Sequence, residues 1–329
     1  MAEYIARLAT TGPVDQGGTR VNITRAAIES ISDQVNGDRC LPLISNHDPF
    51  CMPIGKIKEA WVEPFGAEYA VMARIHVEED ARSSIHARSG TELVCLDFVD
   101  ARKPFVRQFE NLLIEQDLVT VSVDLANFDN TQDHAAFMDA VKRIDDKMSS
   151  SYIGRHSLEP EPLIRFVLEY PKLCTALTVV GLWVLKRVEK FVRYTIDETL
   201  RKTADEIADL VSGKIKRILS VYKERQSDDD RPILMEVVVR GNPDLILLTR
   251  VSRAEDFPSI DLSKLTTEME KYGDLLQRAE EVIFARTGGD DWELQYLKTH
   301  TGEVFGTPEC YNRSIEQLRG TRRRSELKK

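Results

Sequence analysis

CLPLISNHDPFCMPIGKIKEAWVEPFGAEYAVMARI, Cys40–Ile75, is the stretch on which the fold assignment turns. It opens as a short apolar strand that ends in Asn46-His47-Asp48-Pro49, and Pro53-Ile54-Gly55 starts another. After Pro64-Phe65-Gly66 the residues alternate, Val71, Ala73, Ile75 and Val77 against Ala70, Met72, Arg74 and His76, with the period of a half-buried strand. A histidine at a strand end beside a carboxylate stands where a base could reach a neighbouring nucleophile. A histidine in a loop is equally an ordinary polar group, and the stretch alone leaves both readings open.

Outward from this segment, YIARL, ELVCLDFV and LVTVSVDL read as further strands. Helices are expected around Thr24–Gln34, Arg102–Leu113 and His134–Met148. Many short strands with a few helices between them predict a sheet-rich or barrel domain over residues 1–158, within an α+β chain.

Glu159-Pro160-Glu161-Pro162 reads as a hinge. From Leu163 to about Arg225 only Pro171 interrupts a helical composition, so a long helical segment is expected over 159–226. Its apolar residues recur at Val188, Val192, Ile196, Leu200, Ala204, Ile207, Val211, Ile215, Ile218 and Tyr222, a narrow amphipathic stripe. Such a stripe must bury against another helix, either in a second copy of the chain or in its own domain. Within the segment, Leu173–Leu185 is the most apolar run, flanked by Lys172, Lys186 and Arg187. As a helix it rises about 20 Å, short of the roughly 20 apolar residues that a bilayer core requires. A buried helix and a membrane-associated one, with residues 163–193 at the bilayer, both stay open.

Residues 227–329 read as a small ββαββ unit with a basic tail. ILMEVVVR and LILLTRVS flank the turn Gly241-Asn242-Pro243-Asp244. Leu262–Arg286 has helical spacing through Leu265, Met269, Tyr272, Leu276, Ala279 and Ile283. WELQYLKTH and EVFG form a second hairpin across Thr301-Gly302.

"LPLxxNHD" followed by "PIGKI" resembles the segment that carries the catalytic histidine in the herpesvirus assemblins and the tailed-phage prohead maturation proteases. The resemblance covers the first 155 residues or so and implies a closed, β-barrel-like serine protease fold with flanking helices. His47 then matches the family's base. Ser122, on the apolar strand Leu118-Val119-Thr120-Val121-Ser122-Val123, matches its nucleophile. A serine hydroxyl needs an adjacent imidazole to take its proton, and that imidazole needs a partner to fix its tautomer. The family uses a second histidine or a carboxylate there, for which His134, Asp124 and His76 are the candidates, His134 first. Two departures stand beside the match. Val123-Asp124 follows the serine where the phage enzymes show a glycine, and alternation puts Asp124 on the face of Ser122. The arginine-bearing loop of the viral enzymes has no counterpart in the sequence after Ser122.

The resemblance implies an endopeptidase acting on a protein substrate. A catalytically inactive form of the fold, used for binding, assembly or sensing in a phage-defence setting, is the alternative, and a membrane-associated effector is a third. No nucleotide-binding glycine motif occurs and no cofactor is expected. The spacing Cys40-x6-His47-x3-Cys51, with His86 or Cys95, matches no common zinc site, so no metal is expected. The formal charge of −9 argues against nucleic acid as the main partner, although Arg319, Arg322, Arg323, Arg324, Lys328 and Lys329 make the end of the chain basic. Five widely spaced cysteines without a C-x-x-C pair, and a start lacking a signal sequence, point to a reducing, cytoplasmic location.

Overall fold

The computed structural model describes residues 2–16, 19–37, 41–44, 48–78, 83–86, 90–97, 118–124, 128, 131–146, 148–153, 163–169, 209–225, 232–258, 260, 262–286 and 291–326. The chain is α+β and divides into two compact units, Met1–Gln108 with Gln295–Lys329, and Phe109–Leu294. His47, the predicted helix 102–113, the hinge 159–162 and the apolar run 173–185 lie outside the described residues.

The first unit contains an antiparallel sheet in the order Ala2–Thr10, Glu68–Val77, Gly55–Phe65, Leu41–Leu43. Val71, Ala73, Ile75 and Val77 are buried as their alternation predicts. The helix Arg25–Asn36, capped by Thr24 accepting from the Ala27 amide, packs against the two long central strands. A register irregularity between Ile57 and Glu59 loosens the ladder there. Asn36 repairs it, donating to the Ala60 carbonyl at 2.7 Å and accepting from the Ala60 amide at 2.8 Å. Gly55 is required by close approach, because a Cβ there would overlap the His76 carbonyl. A second antiparallel ladder runs Ser83–His86, Glu92–Asp97, Glu303–Gly306, Glu293–Thr299. Against Glu92–Asp97 packs the last helix, Pro308–Glu326, an element not among the expected ones, which runs on into the basic tail. Among the described residues neither ladder closes on itself, so these strands form open sheets where the resemblance implies a closed barrel.

The second unit is built on a mixed sheet in the order Ser149–Ile153, Leu118–Asp124, Leu163–Glu169, Ile233–Val239, Asp244–Val251, Ala279–Arg286. Two helical expectations are corrected here. Leu163–Glu169 is a strand and not the start of a long helix. Its pleat sets Ile164, Phe166 and Leu168 on one face, between Val119, Val121 and Val123 on one side and Met235, Val237 and Val239 on the other. A helix would turn Phe166 to the side opposite Ile164 and Leu168. Likewise, the helical pattern of Leu262–Arg286 holds for Leu262–Glu270 and Asp274–Arg278 but gives way to the strand Ala279–Arg286. Gly273, at φ +41°, breaks the helix, and Val282, Ile283 and Phe284 then pair parallel to Asp244–Val251. Both expected hairpins form, Ile233–Val239 with Asp244–Val251 and Glu293–Thr299 with Glu303–Gly306, but the single helix expected between them is two helices and a parallel strand.

The predicted helix near His134 spans Thr131–Ile144, and the amphipathic segment is helical over 209–225. Lys214 bonds Asp145 at 2.5 Å, just beyond the first of these helices. Val211, Ile215, Ile218, Leu219 and Tyr222 are all buried, so over this length the stripe is covered within the chain. Among the described residues no helix is long and apolar enough to cross a membrane.

Two substitutions check this architecture by urea denaturation. Phe166, fully buried, loses its packing on both neighbouring strands in Phe166→Ala, at an expected cost of about 3–5 kcal/mol. Gly55→Ala is expected to cost about 1–3 kcal/mol through overpacking. A Phe166→Ala midpoint equal to wild type would remove the strand 163–169 from the core.

Candidate functional site

Two groups of polar residues lie where the resemblance directs attention, one in the sheet of the second unit and one between a loop and the last helix in the first. In the second unit, Ser122 occupies the middle of Leu118–Asp124, and strands pair with it on both sides. The residue is only 5% exposed. Its Cα partner on the antiparallel neighbour is Arg165, whose own partner on the next strand is Glu236. Directly paired positions share a face, so the sheet carries a row Ser122–Arg165–Glu236. The guanidinium Nε donates to Glu236 Oε2 at 2.8 Å, and Nη2 is ion-paired with the same oxygen at 2.8 Å. Glu236 is a carboxylate within a strand whose seven residues are all buried, and Arg165 supplies the countercharge such a position demands. One pleat along, the hydroxyls of Thr120 and Ser149 are 2.6 Å apart. The opposite face is Val119, Val121 and Val123.

His134, the first candidate for the third catalytic role, lies on the helix Thr131–Ile144 in an aromatic cluster. Its ring meets Phe128 edge-on with centroids 5.3 Å apart, and Phe128, Phe137 and Tyr222 meet in edge-on and tilted pairs at 5.5–5.8 Å. Burial lowers its pKa, because the apolar surroundings penalise the imidazolium, and its Nε2 has no hydrogen-bond partner among the described residues. The strand position of Asp124 is described but its side chain is not. His76 belongs to the first unit, with Nε2 3.2 Å from Glu78 and Nδ1 4.0 Å from Glu3. Lys58, bonded to Glu3, holds that carboxyl below its usual range. The structure thus sets Ser122 and His134 in one unit and His76 in the other.

In the first unit the loop after His47 is fixed in detail. Asp48 accepts from the Phe50 amide at 3.0 Å and from Gln317 Nε2 at 2.8 Å. Arg313 donates to the Phe50 carbonyl at 3.0 Å, and Ser314 Oγ donates to the Met52 carbonyl at 3.0 Å. Cys310 Sγ lies 3.4 Å from that same Phe50 oxygen. Residues 310, 313, 314 and 317 form one face of the last helix, so a single helix face satisfies the backbone of a buried loop. Phe50, Cys51, Met52 and Ile54 are fully or almost fully buried.

Sequence reasoning missed both the Arg165–Glu236 pair and the polar helix face. Period-two alternation in LIRFVLE, and the i, i+3, i+4, i+7 spacing of Cys310, Arg313, Ser314 and Gln317, were the available signals. Among the described residues no group of three or more His, Cys, Asp or Glu side chains could hold a metal ion. Comparison of the chain with protein-family models, curated proteins and solved structures finds no match in any of the three.

The His134 environment gives a pH prediction. Its folded pKa lies below the unfolded value of about 6.5, so the unfolded chain binds the proton first as pH falls. The neutral ring's contribution is intact above that value and is lost as pH drops through the folded pKa. Urea midpoints of wild type and His134→Phe are therefore expected to shift in favour of the variant between pH 7.5 and pH 5. A difference that stays constant with pH would contradict the half-buried, neutral imidazole.

Proposed function

We propose that this chain uses an assemblin- and prohead-protease-like framework as a protein-binding or assembly module, with Ser122 retired from catalysis. The observation that carries this reading is the burial of Ser122 at 5% exposure in a strand paired along both edges. An attacking oxygen must come within about 3–3.5 Å of a substrate carbonyl carbon in line with its orbitals. A serine walled by two strands cannot receive an extended peptide beside its own strand, because both edges are already occupied. The Arg165 donors that face Glu236 are likewise committed. The partner is a protein, and the net charge of −9 disfavours nucleic acid.

One observation favours the second reading, an endopeptidase with His47 as base, Ser122 as nucleophile and His134 as the third residue. The register places a cationic side chain, Arg165, across from Ser122, where an oxyanion would need a donor. For a membrane role through residues 163–193, Leu163–Glu169 is already committed to the sheet, which leaves the run 173–185 to carry it. Self-association through the long helix would likewise fall to the part of the stripe before residue 209, since the rest is covered.

A fluorophosphonate probe applied to purified wild type, Ser122→Ala and His47→Ala separates the two main readings. The binding-module reading predicts that wild type labels no more than Ser122→Ala. Labelling of wild type that disappears in both variants would replace it with the endopeptidase reading.

A further inference from the structure

Two thiols in the first unit are brought together by the last helix. Cys51 and Cys310 are both fully buried, and neither is in a disulfide. Contacts on both sides of Cys51 reach the same helical turn. The carbonyl of Phe50, just before it, lies 3.4 Å from Cys310 Sγ. The backbone of Met52, just after it, also hydrogen-bonds that sulfur. Ser314 bridges the Met52 carbonyl and the Cys310 carbonyl, each at 3.0 Å, and contacts the Cys51 thiol. Cys51 therefore lies against the turn 310–314, in a position to meet Cys310.

We propose that Cys51 and Cys310 form a redox-closable dithiol, and that a peroxide converts it to a disulfide which fastens the last helix to the loop following His47. One thiolate attacks the peroxide oxygen, the O–O bond breaks, and a sulfenic acid and water are formed. The second thiol then attacks the sulfenic sulfur and expels a second water. Two electrons pass from the thiols to the peroxide, and both thiol protons leave in water. The inference is independent of whether Ser122 is catalytic.

The seat also sets the rate. Burial is the main cause that pushes both thiols up to about 12, with Asp48 adding to it, so the reduced pair is inert while the helix is seated. Closure waits on local release of the helix, which Arg313 and Gln317 oppose through their bonds to Phe50 and Asp48. The half-buried Cys95, on the strand Glu92–Asp97, serves as an internal reference.

The test exposes the full chain, reduced and folded, to hydrogen peroxide overnight, blocks remaining thiols and maps unreduced peptides by mass spectrometry. The expected product joins the Cys51 and Cys310 peptides, is lighter by about 2 Da than the two thiol peptides, and separates on reduction. Arg313→Ala with Gln317→Ala is expected to speed its formation about tenfold by weakening the seat. Recovery of both cysteines as blocked thiols after the overnight exposure overturns the proposal. Conversion of either to sulfinic acid, or its linkage to another cysteine, overturns it equally.

Discussion

A carboxylate in the middle of a buried strand must be neutralised, and Glu236 is such a group. Its countercharge is Arg165, on the next strand and directly across the ladder. Much of the second unit follows from that pairing. A slip of Leu163–Glu169 by one residue would turn Arg165 to the apolar face and leave Glu236 with an unpaired buried charge. The ion pair therefore pins the register of this strand against Ile233–Val239. Ile164, Phe166 and Leu168 then meet valines on one side and Met235, Val237 and Val239 on the other, and Ser122 stands opposite Arg165. Hydrophobic area supplies the larger driving force, but it would tolerate more than one alignment of these valine-rich strands. The charge pair selects one.

The same register decides what Ser122 can do. It lies in the row that an oxyanion mechanism would use, beside a guanidinium, yet that guanidinium is spoken for and the serine is covered. A protease would have to expose Ser122 and turn Arg165 toward it, leaving Glu236 without its partner. In the first unit the loop after His47 is held with equal firmness, by hydrogen bonds from one face of the last helix. Both neighbourhoods to which the resemblance points are tied into their own unit by polar contacts.

The legible parts of the fold were those whose pattern is local. Strand Glu68–Val77 announces itself by alternation, and a helix is legible near its observed bounds Arg25–Asn36. The hairpin Ile233–Val251 shows in its turn, where Asp244 closes back on the Gly241 amide at 2.9 Å. What escaped depends on partners far away in sequence. Leu163–Glu169 sits next to a helix-compatible run, and its strand character is fixed by Glu236, 71 residues on. Ala279–Arg286 continues the helical spacing of the residues before it until Gly273 and the parallel pairing intervene. The last helix offers a weak apolar stripe because much of its inward face is polar, and its hydrogen-bond acceptors lie some 260 residues earlier. Ser122 could be singled out from its apolar flanks, but its neighbour Arg165 could not, since only the folded register brings the two together.

A double-mutant cycle on Arg165→Met and Glu236→Gln tests the central claim most directly, with urea stability measured for all four proteins. If the pair pins the sheet, each single variant loses stability and the double variant loses less than their sum, with a coupling of about 0.5–3 kcal/mol. Effects that add to within about 0.3–0.5 kcal/mol would mean that the two side chains act independently, and the register would then need another cause.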